Sequence, residues 1–311
     1  YPDGRLPITR YTLEDYAATG GLRYENEQLG KFDLALNHGT NIVKSTDYNA
    51  INPSWGANSP ATIYTGERKN DQTNVTLDWV RDFPTDLLFK PLTVSAGLAW
   101  RQENYQLSAG APAASQNGPL FNTVDPVTGR RLAGYYSGIT PVDAASLQRK
   151  VLGAYVDGEG QVTEKFQAGV AVRTEHYSDF GDTTNGKLSL RYDFTPQIAA
   201  RASASTGYRA PSLAQSGMSS FSVQVVEQPP GSGNYVEVQQ RTLRANSPEA
   251  QALGGTQLKP EESTNYSLGL VWQPLDNASV TVDAYRININ NRITLSDQLP
   301  APVVSPNFAG T

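Results

Sequence analysis

Residues 186–212 read GKLSLRYDFTPQIAARASASTGYRAPS, and two alternating runs in this stretch meet at Thr195 and Pro196. The first run carries apolar side chains at every second position, at Leu188, Leu190, Tyr192 and Phe194. The positions between them are Lys187, Ser189, Arg191 and Asp193. An apolar period of two predicts a β-strand, and two such runs joined by a proline turn predict a β-hairpin. One face of this hairpin is too charged for the core of a soluble protein.

Residues 258–293, LKPEESTNYSLGLVWQPLDNASVTVDAYRININNRI, repeat the pattern around a second turn. The runs at residues 92–101, 166–173 and 198–205 again place Arg or small residues between apolar ones. A membrane barrel turns its apolar residues to lipid and its polar residues to the lumen, over strands of about ten residues. The sequence therefore predicts an all-β fold, an antiparallel up-and-down transmembrane β-barrel.

Composition excludes several other classes. Only 38% of the residues are apolar, and no run approaches the roughly 18 apolar residues of a membrane helix. The chain has no Cys, which excludes a disulfide scaffold and Cys-ligated metal sites. A net charge of −5 without a run of Lys and Arg argues against nucleic acid as a partner.

Candidate strands alternate with connections of two sizes. The strands are predicted at residues 30–38, 72–81, 91–105, 150–157, 164–175, 186–194, 197–208, 262–273 and 278–289. Short connections are predicted at 82–91, 157–163, 195–196 and 273–277, and long ones at 106–149, 176–185 and 209–261. Outer-membrane barrels have short periplasmic turns and long extracellular loops, so the long connections are expected outside the cell.

Aromatic residues at the strand ends predict two interfacial belts on the lipid face. The outer belt comprises Trp100, Tyr208 and Tyr266, and the inner belt comprises Trp79, Phe166, Tyr192, Phe194 and Trp272. The phase changes in the last run, where Val280 and Val282 lie on one face but Ile287 and Ile289 on the other. Either a β-bulge near Tyr285 restores the phase, or the residues from Ile287 onward lie above the membrane.

Several of these stretches resemble the barrel of TonB-dependent outer-membrane receptors. They are ASTGYRAPSLAQ (204–215), RTEHYSDFGDTTNGKLSLRYDFTP (173–196), LKPEESTNYSLGLVW (258–272) and VTVDAYRININNRI (280–293). DQTNVTLDWVRDF (71–83) and LTVSAGLAWRQENY (92–105) extend the resemblance more weakly. The resemblance implies a bacterial outer-membrane location, a lumen closed by an N-terminal plug and a ligand captured by extracellular loops. It also implies energy delivered by the TonB complex.

The chain departs from that pattern because it contains no recognisable plug, TonB-contacting segment or closing C-terminal strand. Energised transporters of this kind are plugged 22-stranded barrels, whereas this sequence predicts about ten strands. We therefore expect residues 1–311 to be part of a single barrel domain, a partial barrel. The expected partners are membrane lipid, the TonB complex through the missing plug region, and a small-molecule ligand such as a ferric siderophore. Sugars, cobalamin and peptides remain alternative ligands.

The candidate ligand-binding residues lie in the long loops, because a rigid barrel presents its loops outward. The candidates in the first long connection, which together offer cationic and aromatic surface, are Arg130, Arg131, Tyr135 and Tyr136. Arg209 is a similar candidate at the barrel mouth. Such surfaces suit anionic or catecholate-like ligands. His176 beside Asp182 suggests either a metal ligand or a hydrogen-bonded strand end, and no metal, cofactor or catalytic residue is predicted.

Three functional classes follow from these observations. The first is an active-transport receptor. The second is a passive or structural outer-membrane barrel, which shares the lipid face but needs no plug. The third is a soluble secreted β-sandwich that binds a ligand and has short loops at both ends. An enzyme is not expected, because no catalytic group of residues is found in the sequence.

Overall fold

The structure of the chain is a computed structural model, which describes residues 5–127, 129, 131–227, 229, 231–233 and 235–296. In chain order, its strands are β1 (Ile8–Asn26), β2 (Gly30–Tyr48), β3 (Thr62–Phe83), β4 (Leu92–Ala109), β5 (Ala145–Gln161), β6 (Phe166–Tyr177), β7 (Gly181–Thr195), β8 (Ile198–Arg209), β9 (Ser220–Glu227), β10 (Tyr235–Thr242), β11 (Glu261–Leu275) and β12 (Ala278–Asn290). The helices are α1 (Leu213–Ser216), α2 (Pro248–Ala252) and the 3-10 helices Pro53–Asn58 and Pro112–Ala114. None of the helices in the described ranges is long and apolar enough to cross a bilayer.

Ten strands form one antiparallel sheet in the order β1-β2-β3-β4-β5-β6-β7-β8-β11-β12. Strands adjacent in sequence pair in space, and β8 pairs with β11 across the separate β9–β10 hairpin. The edge strands β1 and β12 do not pair with each other within the described residues. The predicted open meander is therefore confirmed. The β-sandwich alternative is wrong, because the ten strands lie in one sheet.

Several strands are longer than the alternation predicted. β2 continues to Tyr48 and β3 begins at Thr62, although residues 39–48 have polar side chains on both faces. Backbone pairing continues there regardless, from Gly39 opposite Gln72 up to Tyr48 opposite Thr62. β1 was not predicted, because Leu13 faces one side of the sheet while Leu22 faces the other. Hydrogen bonding to the neighbouring strand, rather than apolar alternation, extends these strands.

The predicted long connection at 176–185 is wrong. β6 ends at Tyr177 and β7 begins directly opposite at Gly181, so residues 178–180 alone connect them. Gly181 has a φ of 96°, a conformation that glycine adopts without steric cost. The polar residues on either side of this turn looked like a loop in the sequence. They stay paired in the sheet, with Glu175 opposite Thr183.

The polar face of the sheet is concave. Arg201 of β8 reaches Asp283 of β12 over the intervening strand β11, with an Nη2–Oδ2 distance of 2.7 Å. Tyr155 of β5 likewise donates a hydrogen bond of 2.7 Å to Asp78 of β3 over β4. Side chains from strands about 10 Å apart can meet in this way where the face curves inward. Gly269 and Gly97 lie beneath these pairs, where a Cβ atom would come within 2.2 Å of Asp283 and 2.4 Å of Tyr155.

The convex face carries a band of exposed apolar side chains, which includes Leu34, Leu36, Leu77, Leu98, Leu152, Val170, Leu188, Leu268, Leu270 and Val282. The aromatic residues Trp79, Phe166, Tyr192, Phe194 and Trp272 lie on the half of this face near the short turns. There Trp79 Nε1 donates to the Leu29 carbonyl in the β1–β2 turn, at 2.7 Å. Trp100 and Tyr266 lie nearer the long loops and are exposed. The positions of these aromatic residues agree with the two predicted interfacial belts on the lipid face.

Tyr208 is the exception among the predicted belt residues. Its hydroxyl lies 2.7 Å from the hydroxyl of Tyr177, a buried residue of the concave face, and the two rings meet edge to face. The ring therefore turns toward the mouth instead of lipid, and its assignment to the outer belt was wrong. Of the two explanations for the phase change in the last run, the bulge near Tyr285 is excluded, because β11 and β12 stay in register from Trp272 opposite Val280 to Glu262 opposite Asn290. Tyr285, Ile287 and Ile289 thus share the concave face with Asp283.

Candidate functional site at the long-loop end

Besides the β6–β7 turn at residues 178–180, three longer connections gather at one end of the sheet. They are residues 49–61, residues 110–144 (the first long loop) and residues 210–260 (the second long loop). The concave face at this end is called the mouth. Residues 49–61 and the first long loop share a small core of Ala50, Ile63, Ala113 and Ala114, flanked by Trp55 and Tyr135. Buried Asn52 donates to the carbonyl oxygens of Ala113 (3.0 Å) and Gln116 (3.1 Å), which fixes one loop on the other.

Asp47 at the end of β2 anchors the first long loop. This buried carboxylate accepts hydrogen bonds of 2.6 Å from the Thr9, Tyr135 and Ser137 hydroxyls. Burial, together with the hydrogen bond to Asp47, raises the pKa of Tyr135 above its ordinary value. Tyr135 is therefore held as a neutral phenol that ties the loop to the sheet.

The second long loop folds inward over the mouth. After β8, the chain forms α1, capped by Ser212, whose hydroxyl accepts from the Gln215 amide at 3.0 Å. Leu213 of α1 is buried against Tyr105 and Leu107 of β4, with Leu147 of β5 packed beside them. By register, these strand residues lie on the concave face. The loop therefore covers the upper wall of the mouth instead of extending away from it.

Arg149 of β5 fixes this inward fold. Its side chain is 2% exposed and makes three hydrogen bonds to the Asp179 carboxylate in the β6–β7 turn, at 2.6–3.0 Å. The same guanidinium donates to the Pro211 carbonyl at the start of the second long loop, at 2.7 Å, and lies over the rings of Tyr177 and Phe180. A bidentate arginine–carboxylate pair is geometrically specific. Arg149 thus holds β5, the β6–β7 turn and the second long loop in one arrangement.

A polar network continues below Arg149 on the concave face. Tyr177 donates to Glu175 at 3.0 Å, and Arg101 donates to the Tyr177 hydroxyl at 3.3 Å. Arg173 pairs with Glu175 at 2.5 Å, and Arg101 pairs with Glu103 at 2.6 Å. Each cation in this network has a carboxylate partner, so the network is close to neutral and suits a rigid wall more than an anion site.

Asp143 joins the two long loops. This buried carboxylate accepts hydrogen bonds from Thr140 (2.6 Å) and Ser219, and pairs with Arg241 at 2.7 Å. Burial alone would raise the pKa of Asp143, but the hydrogen bonds from Ser219 and Thr140 and the charge of Arg241 outweigh it. The pKa of Asp143 is therefore lowered. Arg244 adds hydrogen bonds of 2.8 and 2.7 Å to the Asp143 and Ala144 carbonyls.

Two cavities open on the concave face. One, of about 240 Å³, is lined by Asn37, Asn74, Thr76, Arg101, Arg173 and Glu175 among others. The other, of about 450 Å³, lies lower and is lined by residues that include Lys187, Ser189, Arg191, Arg201, Ser203 and Asp283. Hydroxyl, amide and charged groups make up much of the smaller lining, and the larger lining combines such groups with apolar residues such as Leu190 and Tyr285. Such a surface suits water or a polar filling, as expected of a lumen wall.

The structure separates the predicted site residues. Arg131 is exposed and donates to the Asn122 carbonyl at 2.9 Å, whereas Tyr135 is committed to Asp47. Tyr136 hydrogen-bonds Asn117 and meets Phe221 of β9 edge to face, with ring centroids 5.1 Å apart. Arg209 is exposed and lies 3.9 Å from buried Glu261. Arg130 lies outside the described residues.

Sequence reasoning missed the residues that organise the mouth, namely Asp143, Arg149, Arg241 and Arg244. The ion pairs of Arg149 with Asp179 and of Asp143 with Arg241, and the bonds of Arg244 to the 142–144 carbonyls, join positions 30 or more residues apart, so no local pattern identifies these residues. His176 lies 2.7 Å from Asp182 and is exposed, and His38 instead bonds Thr73 at 2.9 Å. The described ranges hold no group of three His, Cys, Asp or Glu side chains placed to bind a metal. This placement favours a hydrogen-bonded strand end at His176.

Comparison with known proteins adds independent findings. Residues 2–309 match the model of a family described as TonB dependent receptor-like, beta-barrel. No curated protein sequence matches the chain significantly.

Solved structures with a similar fold include the siderophore receptor PirA from Acinetobacter baumannii, at 14% identity and a TM-score of 0.57, covering 91% of this chain and 35% of that one. A mutant ferric enterobactin receptor (PfeA) from Pseudomonas aeruginosa, in complex with enterobactin, has 17% identity, a TM-score of 0.57 and coverages of 91% and 36%. The ferric-catecholate import receptor Fiu from E. coli K12 has 15% identity, a TM-score of 0.55 and coverages of 92% and 42%. The chain thus spans about 35–42% of the length of these structures. At such identities the likeness establishes the fold alone.

Proposed function

Because this chain belongs to the TonB-dependent receptor β-barrel family, we propose that it is part of an outer-membrane receptor that imports a scarce ligand with energy from the TonB complex. One observation carries the proposal. The sheet has an exposed apolar band on its convex face, a charged concave face, and ordered polar loops over one end only. Lipid on the convex side and water on the concave side satisfy both faces at once.

The proposed orientation follows from the same asymmetry. The connections at one end, at residues 27–29, 84–91, 162–165, 196–197 and 276–277, are no longer than eight residues. The other end carries the first and second long loops. Short turns face the periplasm in outer-membrane barrels, so the long loops face the exterior, where they meet the ligand first.

The proposed ligand is a ferric siderophore of the anionic, catecholate type. Solved structures with this fold are named as siderophore receptors, and one of them holds enterobactin. In this chain, the candidate contacts remain Arg130, Arg131, Tyr136 and Arg209, whose guanidinium and aromatic groups suit an anionic aromatic ligand. Tyr135 is less suited, because Asp47 and the loop core already occupy its hydroxyl and ring.

The closing experiment removes the tip of the first long loop from the full-length protein. Asn122 N donates to the Leu132 carbonyl at 2.9 Å, and Leu132 N donates to the Thr123 carbonyl at 2.8 Å. Residues 124–131 can therefore be excised and Thr123 joined to Leu132 through one glycine without opening the loop core. The excision removes Arg130 and Arg131 but retains Tyr135 and Tyr136.

Growth on a ferric catecholate as sole iron source and uptake of the radiolabelled complex are the readouts. We expect uptake to fall while outer-membrane insertion, measured by heat-dependent gel migration, is unchanged. Exchanging residues 85–88, part of the turn between β3 and β4 at the opposite end, for Ser-Gly-Ser-Gly serves as the control. Normal uptake by the correctly inserted excision variant would remove the loop tip from the ligand site. Undiminished uptake in cells that lack TonB would instead favour the passive barrel.

A further inference from the structure

The β9–β10 hairpin stands apart from the ten-stranded sheet and contacts it through the long loops. Its strands pair with each other from Ser220 opposite Thr242 to Glu227 opposite Tyr235, and with no other strand in the described part of the chain. An isolated two-stranded hairpin is only marginally stable in water. Its position therefore depends on what holds its base.

One face of the hairpin base docks on the first long loop. Phe221 and Arg241 lie directly opposite each other in the β9–β10 register, so they share a face of the hairpin. Phe221 packs edge to face on Tyr136, and Arg241 pairs with Asp143 at 2.7 Å. Ser222 belongs to the other face and is exposed.

Both ends of the hairpin converge on the same buried carboxylate. Ser219, immediately before β9, donates to Asp143 Oδ1, and Arg241 near the end of β10 donates to the same oxygen. The flanking segments are fixed separately, because Leu213 packs into its apolar socket and Arg244 bonds the 142–144 carbonyls. Asp143 is thus the charged group that binds both ends of the hairpin, next to the ring contact between Phe221 and Tyr136, while the flanking parts of the second long loop have their own anchors.

We propose that the β9–β10 hairpin is a hinged arm at the mouth, which Asp143 latches onto the first long loop and which uncovers Arg241 and Tyr136 when it opens. Losing Arg241 disfavours the closed arrangement, because the buried Asp143 carboxylate loses the cation that compensates its charge. Opening exposes a guanidinium and an aromatic ring together, the groups that recognise an anionic aromatic ligand. The role of the hairpin as a ligand gate rests on the proposed function, whereas its attachment to and release from Asp143 does not.

The test uses a nitroxide spin label on a single cysteine, introduced as Ser222→Cys in the full-length protein. The present chain has no Cys, so any native thiol elsewhere in that protein is removed first. The label is compared in otherwise native protein and in the Asp143→Asn, Ser219→Ala and Arg241→Gln backgrounds. The control is Arg286→Gln, which alters an exposed arginine that bonds only Asn288 among the described residues. Heat-dependent gel migration verifies that each variant is folded.

We expect the immobilised component of the spectrum to be lost in Asp143→Asn and Arg241→Gln, to be reduced in Ser219→Ala and to persist in the control. Equal immobilisation in the native background and in all three folded latch variants would overturn the proposal. No ligand is present in this test, so a negative result here is distinct from a failure of uptake. If Asp143→Asn does not fold, the milder Ser219→Ala and Arg241→Gln variants decide the outcome.

Discussion

Substituting one convex-face leucine tests which side of the sheet contacts lipid. Leu268 lies on β11 between Tyr266 and Trp272, one from each aromatic belt, and is 62% exposed. These aromatics are six positions apart, about 20 Å along a strand, or about 15 Å of membrane depth at a tilt near 40°. Position 268 therefore lies close to the centre of the apolar band.

We expect Leu268→Arg to destabilise the membrane-inserted state by about 2–4 kcal/mol, since a charge near the bilayer midplane costs that amount in a barrel. This corresponds to a roughly 30- to 700-fold change in the folding equilibrium. Two matched variants separate face from depth. Ser267→Arg places the same charge on the concave face, where the hydrogen bond to Ser203 (2.8 Å) is lost, at a cost of about 1 kcal/mol. Thr264→Arg keeps the convex face but lies beyond Tyr266, where the cost is about 0–1 kcal/mol.

The assay is reversible urea unfolding of the full-length protein in large unilamellar vesicles, followed by tryptophan fluorescence and by heat-dependent gel migration. Leu268→Arg should shift the midpoint well below those of both matched variants. Equal midpoints for Leu268→Arg and Thr264→Arg would contradict the depth assignment. A larger loss in Ser267→Arg than in Leu268→Arg would show that the apolar face does not contact lipid.

Three further predictions concern the mouth and the wall. Arg149→Gln should free the start of the second long loop, at a local cost of roughly 2–3 kcal/mol from lost charged hydrogen bonds, so hydrogen exchange at residues 211–217 should quicken. Arg173→Gln, which alters a half-exposed arginine on the same face, should leave that segment protected. The pKa of Asp143 is lowered in the folded state, so its stabilising contribution is fully present above the ordinary carboxyl pKa and is lost as pH falls through the folded pKa. The spin label at position 222 should therefore become mobile in acid. A label whose mobility does not change down to the pH of global unfolding would refute this. Gly269→Leu should separate Arg201 from Asp283 and destabilise the folded state by about 1–3 kcal/mol of overpacking. Its thermal midpoint in detergent should therefore fall, whereas Gly158→Ala, whose added Cβ meets nothing within 4 Å, should leave the midpoint nearly unchanged.

The sequence alone determined the architecture of the wall. The alternation of Leu188, Leu190 and Tyr192 with Lys187, Ser189 and Arg191 assigns a face to each residue, because successive strand side chains point to opposite sides. Turn residues such as Pro196 and the Asp276-Asn277 pair located the hairpins to within a few residues. Local periodicity suffices within the apolar band, since the apolar face of each strand meets the same solvent throughout that band.

Only the tertiary structure decided where the strands continue beyond the apolar band and how the mouth is built. Above the band both faces meet water, so the alternation disappears although the backbone ladder continues, and the 176–185 stretch looked like a loop for that reason. The site depends on charges far apart in sequence, such as Arg149 with Asp179 and Asp143 with Arg241. Arginines and aspartates of this kind are common on hydrated loops. The curvature that brings strands and loops together decides which of these arginines and aspartates become buried partners. A linear pattern of residues does not encode how close two distant side chains lie in the folded chain.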